Sequence, residues 1–170
     1  MFQSWRLKVR EAEEALKAGR LSEAQQILVQ EDLTQYLPGK RLAAKLAAHF
    51  AERAQRNAFD ADLNAGWRDL AAATEIAGET SEILAARRTL VESSLRQAEE
   101  SMGSGDVAGA IAKLESLKSA KHTSTLLETL LHVAKRLQSA DNLCRRGKFA
   151  DAEAQLSAGI ALRPSLQFLE

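Results

Sequence analysis

The sequence predicts an all-α chain built as a stack of about four antiparallel helical hairpins. Three observations lead there. Ala, Leu, Glu, Gln, Arg and Lys are abundant and only two prolines occur in 170 residues; apolar residues recur at spacings of three and four; and a glycine-centred stretch returns four times. These residue types favour helix, and the few β-branched runs leave nothing that reads as a strand. A chain of this length holds one ordinary domain or a short repeat array with a shared core, so a single domain over 1–170 is expected.

The repeated stretches are LKAGRLSEAQQIL at 16–28, LNAGWRDLAAATE at 63–75, MGSGDVAGAIAKL at 102–114 and CRRGKFADAEAQL at 144–156. Aligned on Gly19, Gly66, Gly105 and Gly147, they place Ala24, Ala71, Ala110 and Ala152 five residues later. Three residues earlier stand Leu16, Leu63, Met102 and Cys144, and seven earlier Ala12, Phe59, Ala98 and Ala140. The two earlier sets share one helical face, and a small residue at plus five suits a second helix whose backbone approaches closely. A glycine between them can take the left-handed conformation that ends the first helix and lets the chain reverse. The glycines are 47, 39 and 42 residues apart, a period typical of stacked supersecondary units. The expected hairpins cover about 1–37, 38–78, 79–120 and 121–164.

Taken in order, the first helix is expected over 2–18. Its Phe2, Trp5, Val9, Ala12 and Leu16 form one narrow apolar stripe, as suits the end of an array. Its partner runs over 21–30. LPGK at 37–40 separates this hairpin from the next, whose helices are expected over 40–65 and 67–77, around Gly66. GETS at 78–81 offers Thr80 or Ser81 as the cap of a helix over 81–103, followed by one over 107–118. SAKHTST offers Thr123 or Ser124 for a helix over 123–146. That helix carries Leu126, Leu130, Val133, Leu137, Ala140 and Cys144 on one stripe with Leu127, Leu131 and Ala134 beside it, a face broad enough to need neighbours on more than one side. The last helix is expected over 149–162. Beyond it, RPSLQFLE brings Leu166, Phe168 and Leu169 together after Pro164, and Ser165 can cap a new helix there. This predicts a chain that is one region of a longer protein and continues as a helix. The competing expectation is a tail that folds back to bury Phe168.

The last hairpin resembles a tetratricopeptide-type repeat: Gly147, Phe149, Ala152, Leu156 and Pro164 follow that family's second-helix order of glycine, aromatic, alanine, large apolar residue and proline. Gly159 stands where the family has alanine. The first hairpin keeps Gly19, Leu21, Ala24 and Leu28, and the third keeps Gly105, Val107, Ala110 and Leu114. The second departs, with Arg68 at the aromatic position and Glu75 at the large apolar one. The first-helix aromatic signature of the family is missing throughout, and the long first helices exceed its usual length. The resemblance implies a right-handed α-solenoid whose concave groove binds peptides or protein surfaces, and it implies no reaction.

Composition narrows the function classes. The 23 basic and 23 acidic residues cancel, so there is no electrostatic footprint for nucleic acid. No apolar run approaches the roughly 20 residues of a membrane span, and the charged N-terminal stretch is neither signal peptide nor anchor. One cysteine excludes an internal disulfide framework and fits a cytoplasmic protein. Cys144 has no histidine near it in sequence, and its register makes it a buried packing residue rather than a nucleophile. His49 with Glu52, and Glu128 with His132, each offer two ligands on one helical face, too few for a metal site and better read as solvated faces. GSGD at 103–106 lacks the lysine of a phosphate loop and reads as a turn.

No catalytic, cofactor-binding or metal residue is therefore expected. The candidate partner-binding residues are Trp67, at the start of a second helix, and the basic pairs Arg87 with Arg88 and Arg145 with Arg146, which could line a groove for an acidic peptide. The functional expectation is a non-catalytic scaffold module that binds a protein or peptide partner, including another domain of its own protein, along a helical-repeat groove. The rivals are an all-α small-molecule sensor domain and a structural spacer or dimerisation arm.

Overall fold

The computed structural model describes residues 4–162; Phe2 and the 163–170 segment, with Pro164, Ser165, Leu166, Phe168 and Leu169, lie outside the described residues. The described chain is all-α. It runs α1 (Ser4–Lys17), α2 (Leu21–Gln30), a 3₁₀ turn (Leu33–Gln35), α3 (Leu37–Phe59), α4 (Leu63–Ala77), α5 (Ser81–Gly103), α6 (Val107–Ser119), α7 (Thr125–Arg145) and α8 (Phe149–Leu162). It divides into two compact units between Leu90 and Val91, within α5.

Every connection between consecutive α-helices contains one residue in the left-handed region. These are Gly19, Asp32, Ala61, Gly78, Gly105, Lys121 and Gly147, with φ between +46° and +87°. Such a residue ends a helix by turning its next amide back onto the last carbonyls. Thus Arg20 N donates to Ala15 O at 2.9 Å, His122 N to Leu117 O at 3.1 Å and Lys148 N to Leu143 O at 3.0 Å. The following helices are capped from the side chain where a suitable residue is present. Asp62 accepts from Ala65 N, Asp106 from Gly109 N and Ser124 from Leu127 N, at 2.9–3.1 Å. Thr80 rather than Ser81 caps α5, accepting from Ile83 N at 3.4 Å.

The second hairpin corrects the sequence reading. Gly66 is not the turn: it is buried inside α4, which begins at Leu63, and α3 ends at Phe59 instead of running to 65. The reversal is made by Ala61, at φ +64°. The left-handed residues within the hairpins are therefore 19, 61, 105 and 147, spaced 42, 44 and 42 residues apart. In this register the small residues at plus five are Ala24, Gly66, Ala110 and Ala152, and all are buried. Seven residues before the turn the series is Ala12, Ala54, Ala98 and Ala140, again all buried. Nine residues after it stands a leucine each time: Leu28, Leu70, Leu114 and Leu156. Phe59, Leu63, Ala71 and Glu75 drop out of the equivalences.

LPGK is the other local difference. Pro38 and Gly39 lie in the first turn of α3 rather than ahead of it, because proline fits the start of a helix, where its missing N–H has no partner to lose. Gly39 is buried under the 3₁₀ turn, and a Cβ there would stand 1.9 Å from Leu33 O.

In the first unit α1 packs on α2, α3 on α4, and α2 on α3. Their shared core centres on Leu28, Leu33, Leu46, Phe50, Leu70, Ile83 and Leu90. Trp5 is half-buried at its edge and stacks on Tyr36, with ring centroids 4.6 Å apart. In the second unit α6 packs on α7 and α7 on α8, around Leu114, Leu117, Leu127, Leu130, Val133 and Leu137. The broad face of α7 is buried along Leu127, Leu130, Leu131, Val133, Ala134, Leu137 and Ala140.

The turn geometry predicts opposite effects of two conservative changes. Ala61→Gly should stabilise the protein by about 0.5–1 kcal/mol, since alanine meets a left-handed cost of about 1–2 kcal/mol that glycine avoids, less the extra entropy glycine loses on folding. Gly66→Ala should destabilise by about 1–3 kcal/mol, because its Cβ would lie 2.5 Å from Leu90 Cδ2 and 3.2 Å from Ala54 O in a filled core. Urea midpoints of the two variants check both signs.

Candidate binding groove

Two places collect polar or accessible side chains in a way the repeat register does not require. The first is in the first unit, where α3 meets α4. Asp69 is buried on α4 at 7 % exposure. Its carboxylate accepts from Arg53 Nε at 2.8 Å, Arg53 Nη2 at 2.6 Å and Asn57 Nδ2 at 3.0 Å. Arg53 and Asn57 are one helical turn apart on α3, so both reach one carboxylate across the helix pair. The guanidinium lies 5.2 Å from the Phe50 ring centroid, and its bond to Asp69 raises its pKa further. The bidentate fork satisfies charge and geometry together. Both carboxylate oxygens are engaged, so the cluster clamps α3 to α4 and leaves no group poised for chemistry. Sequence reading missed it; the signal was an aspartate amid the apolar residues of α4 opposite an Arg and an Asn at i and i+4.

The second place is the C-terminal half of α7, in the second unit. An open groove of about 400 Å³ is lined by Met102, Val107, Leu137, Ala140, Cys144 and Leu156, with Asp141 at its side. Gly103, Ser104 and Gly105, at the end of α5 and the turn that follows it, complete its lining. A second groove of about 470 Å³ adjoins it, lined by Asp106, Val107, Gln138, Asp141, Asn142 and Arg145. A third, of about 320 Å³, runs past Lys135, Ser139, Asn142 and Arg146. One flank is apolar and the other carries mixed charge, with Arg145 Nη2 2.9 Å from Asp141 Oδ2.

Of the five expected contact residues, three fall in the first unit and two in the second. Arg145 and Arg146 border these grooves. Trp67 is half-buried against the core of the first unit, Arg87 is ion-paired with Glu79, and Arg88 is exposed on α5. Cys144 corrects the expectation of burial, for it is exposed. Its stripe is buried from Leu130 to Ala140, but at the final turn of α7 it opens into the groove beside Met102 and Leu156.

Of the two His–Glu pairs read as solvated faces, His49, Glu52 and His132 are exposed and Glu128 is half-buried. His49 Nδ1 stands 3.9 Å from Glu52 Oε2, and the hydrogen bond from Arg56 holds the Glu52 carboxyl below its ordinary range. Glu128 pairs with Lys118 at 3.0 Å. Among the described residues no group of three His, Cys, Asp or Glu side chains could hold a metal ion, and no helix is long and apolar enough to cross a membrane. No family model, curated protein or solved structure matches the chain.

Two measurements follow from this geometry. Asp69→Ala should lower stability by about 1–3 kcal/mol through loss of the charged hydrogen bonds, with the half-exposed Arg53 limiting the cost because water can reach it; thermal denaturation reads this. The Cys144 thiol in the native protein should react with a thiol reagent at a rate close to that of the urea-unfolded chain, and Cys144→Ser should leave stability nearly unchanged.

Proposed function

We propose that the chain is a non-catalytic helical-repeat module, a right-handed tetratricopeptide-like solenoid, which binds a peptide segment along the C-terminal half of α7. The carrying observation is the pair of adjoining open grooves that sets the apolar flank of Met102, Val107, Leu137 and Cys144 beside the charged flank of Asp141 and Arg145. A groove of this kind suits a segment with two or three large apolar side chains on one edge and an acidic residue on the other, held by shape on one flank and charge on the other. The recurring register of left-handed residue, small residue at plus five and leucine at plus nine supports the repeat architecture.

The volume of the apolar groove also lies within the range of small-molecule sites, which keeps a sensor role as the second reading. Selection of a random peptide library on the immobilised protein distinguishes the two. Enriched peptides should share apolar residues beside an acid. Arg145→Glu combined with Arg146→Glu should weaken their binding about tenfold, in the manner of removed charge complementarity, and alkylation of Cys144 with a bulky maleimide should abolish it. Failure to enrich any peptide sensitive to these changes, together with a metabolite that raises the melting temperature of the unmodified protein alone, would support the sensor reading instead.

A further inference from the structure

The apolar groove beside Cys144 continues along α8. Leu156, which lines it, shares one helical stripe with Phe149, seven residues before, and Ile160, four after, and all three are exposed. The stripe runs beside Ala152 and Gly159, the buried residues of α8. From Phe149 to Ile160 it is about 16 Å long, or about three helical turns. Elsewhere in the chain the same register position belongs under a helix. The leucine nine residues after the turn is 1 %, 3 % and 0 % exposed at Leu28, Leu70 and Leu114, against 37 % at Leu156. A long helix follows each of the first three: α3 packs on α2, α7 packs on α6, and Ile83 and Leu90 of α5 share one core cluster with Leu70.

The groove suits a helix better than an extended segment. An extended segment leaves its N–H and C=O groups to be satisfied by the surface it lies on, whereas a helix bonds its own. This surface supplies little for that purpose. Its lining is mostly apolar, Asp141 is paired with Arg145, the Ser104 hydroxyl donates to Ser101 O, and the amides of Ser104 and Gly105 donate to Glu100 O and Met102 O. Charge narrows the composition. Where α7 packs on α6, Glu115 pairs with Lys135 and Lys118 with Glu128. Those α6 positions, ten and thirteen residues after the turn, are Ser157 and Ile160 on α8, so a covering helix meets a hydroxyl and an apolar side chain in place of two charges. The charges that remain are Glu153, exposed between Phe149 and Leu156, and Arg145 at the side of the adjoining groove.

We infer that the partner of this site is an amphipathic helix of about three turns, its leucine- or isoleucine-rich stripe seated on Phe149, Leu156 and Ile160 and over the Cys144 groove, with a basic residue toward Glu153 and an acid toward Arg145. This rests on the peptide-binding reading and adds to it the conformation of the partner and the α8 stripe as a contact surface. A free segment of that length is only marginally helical in water, so it folds as it binds. The tightest peptide from the library selection, measured against the full chain, tests this. A lactam joining two of its residues at i and i+4 that an alanine scan shows to be dispensable should raise affinity at least about threefold, because part of the helix is then formed beforehand. Proline in its middle should lower affinity at least about tenfold, and helical circular dichroism should rise on mixing. Phe149→Lys and Ile160→Lys, both at exposed positions, should each lower affinity about tenfold with the circular dichroism of the protein unchanged. A peptide that tolerates proline and is weakened by the lactam binds extended and overturns the inference, as does binding indifferent to both lysine variants; loss of binding on alkylation of Cys144 would in either case leave the peptide reading standing. Enrichment of no peptide would remove both. A chain that sediments as a dimer, with Ile160→Lys a monomer, would overturn the inference in favour of a second copy of the chain on the stripe.

Discussion

A single left-handed residue in each helix connection is the constraint on which the described architecture depends. Within the four hairpins it stops one helix and the next begins two residues later, at Leu21, Leu63, Val107 and Phe149, so it sets the rotational phase of both. There the residue at plus five is small and buried, and the residue at plus nine is leucine, buried at Leu28, Leu70 and Leu114 and exposed at Leu156. Four of the seven positions are glycine. The other three, Asp32, Ala61 and Lys121, hold a conformation that L-residues resist by about 1–2 kcal/mol. Asp32 is of a type that tolerates this region, and its side chain accepts a hydrogen bond from Gln35. Alanine is not of that type, and at Ala61 the packing of α3 on α4 and the Arg53–Asp69–Asn57 clamp hold the two helices of the turn together.

This explains why the second hairpin was the one misread. Local propensity marks Gly66 as a turn and Ala61 as helical, and both indications reverse once tertiary packing is counted: Gly66 is required by the proximity of Leu90, and Ala61 is forced by the reversal. Elsewhere local signals agreed with packing, so the limits of α2 at Leu21–Gln30, α5 at Ser81–Gly103 and α8 at Phe149–Leu162 could be read from glycines, caps and periodicity. The grooves were less legible. Arg145 and Arg146 stood out as a basic pair, but burial at Cys144 depends on whether a neighbour reaches the final turn of α7, and spacing along one helix carries no information about that.

Charge plays a divided role. Most ion pairs in the described residues, such as Arg10 with Glu14 and Arg145 with Asp141, are exposed pairs within one helix, and such pairs contribute little to stability in water. Asp69 is the exception, because its burial makes three good hydrogen bonds a condition of folding rather than an addition to it. With positive and negative charges balanced and interspersed, no large field is available to steer a charged partner.

The hold on α8 differs in kind from the hold on α2, α4 and α6. Its buried residues are Ala152 and Gly159, which let the backbone lie close to α7, while Phe149, Leu156, Ile160 and Leu162 remain exposed. Close approach of small residues removes little apolar area, whereas full burial of one leucine contributes about 1.5–3 kcal/mol. The earlier second helices each gain that leucine term through a following helix, so their stability is shared between two neighbours. For α8 the described structure provides only one neighbour and a side-chain bond from Arg136 to Gln155. Its free energy of local opening is accordingly the one most sensitive to whatever covers Leu156, and the groove beside Cys144, which α8 helps to wall, inherits that sensitivity.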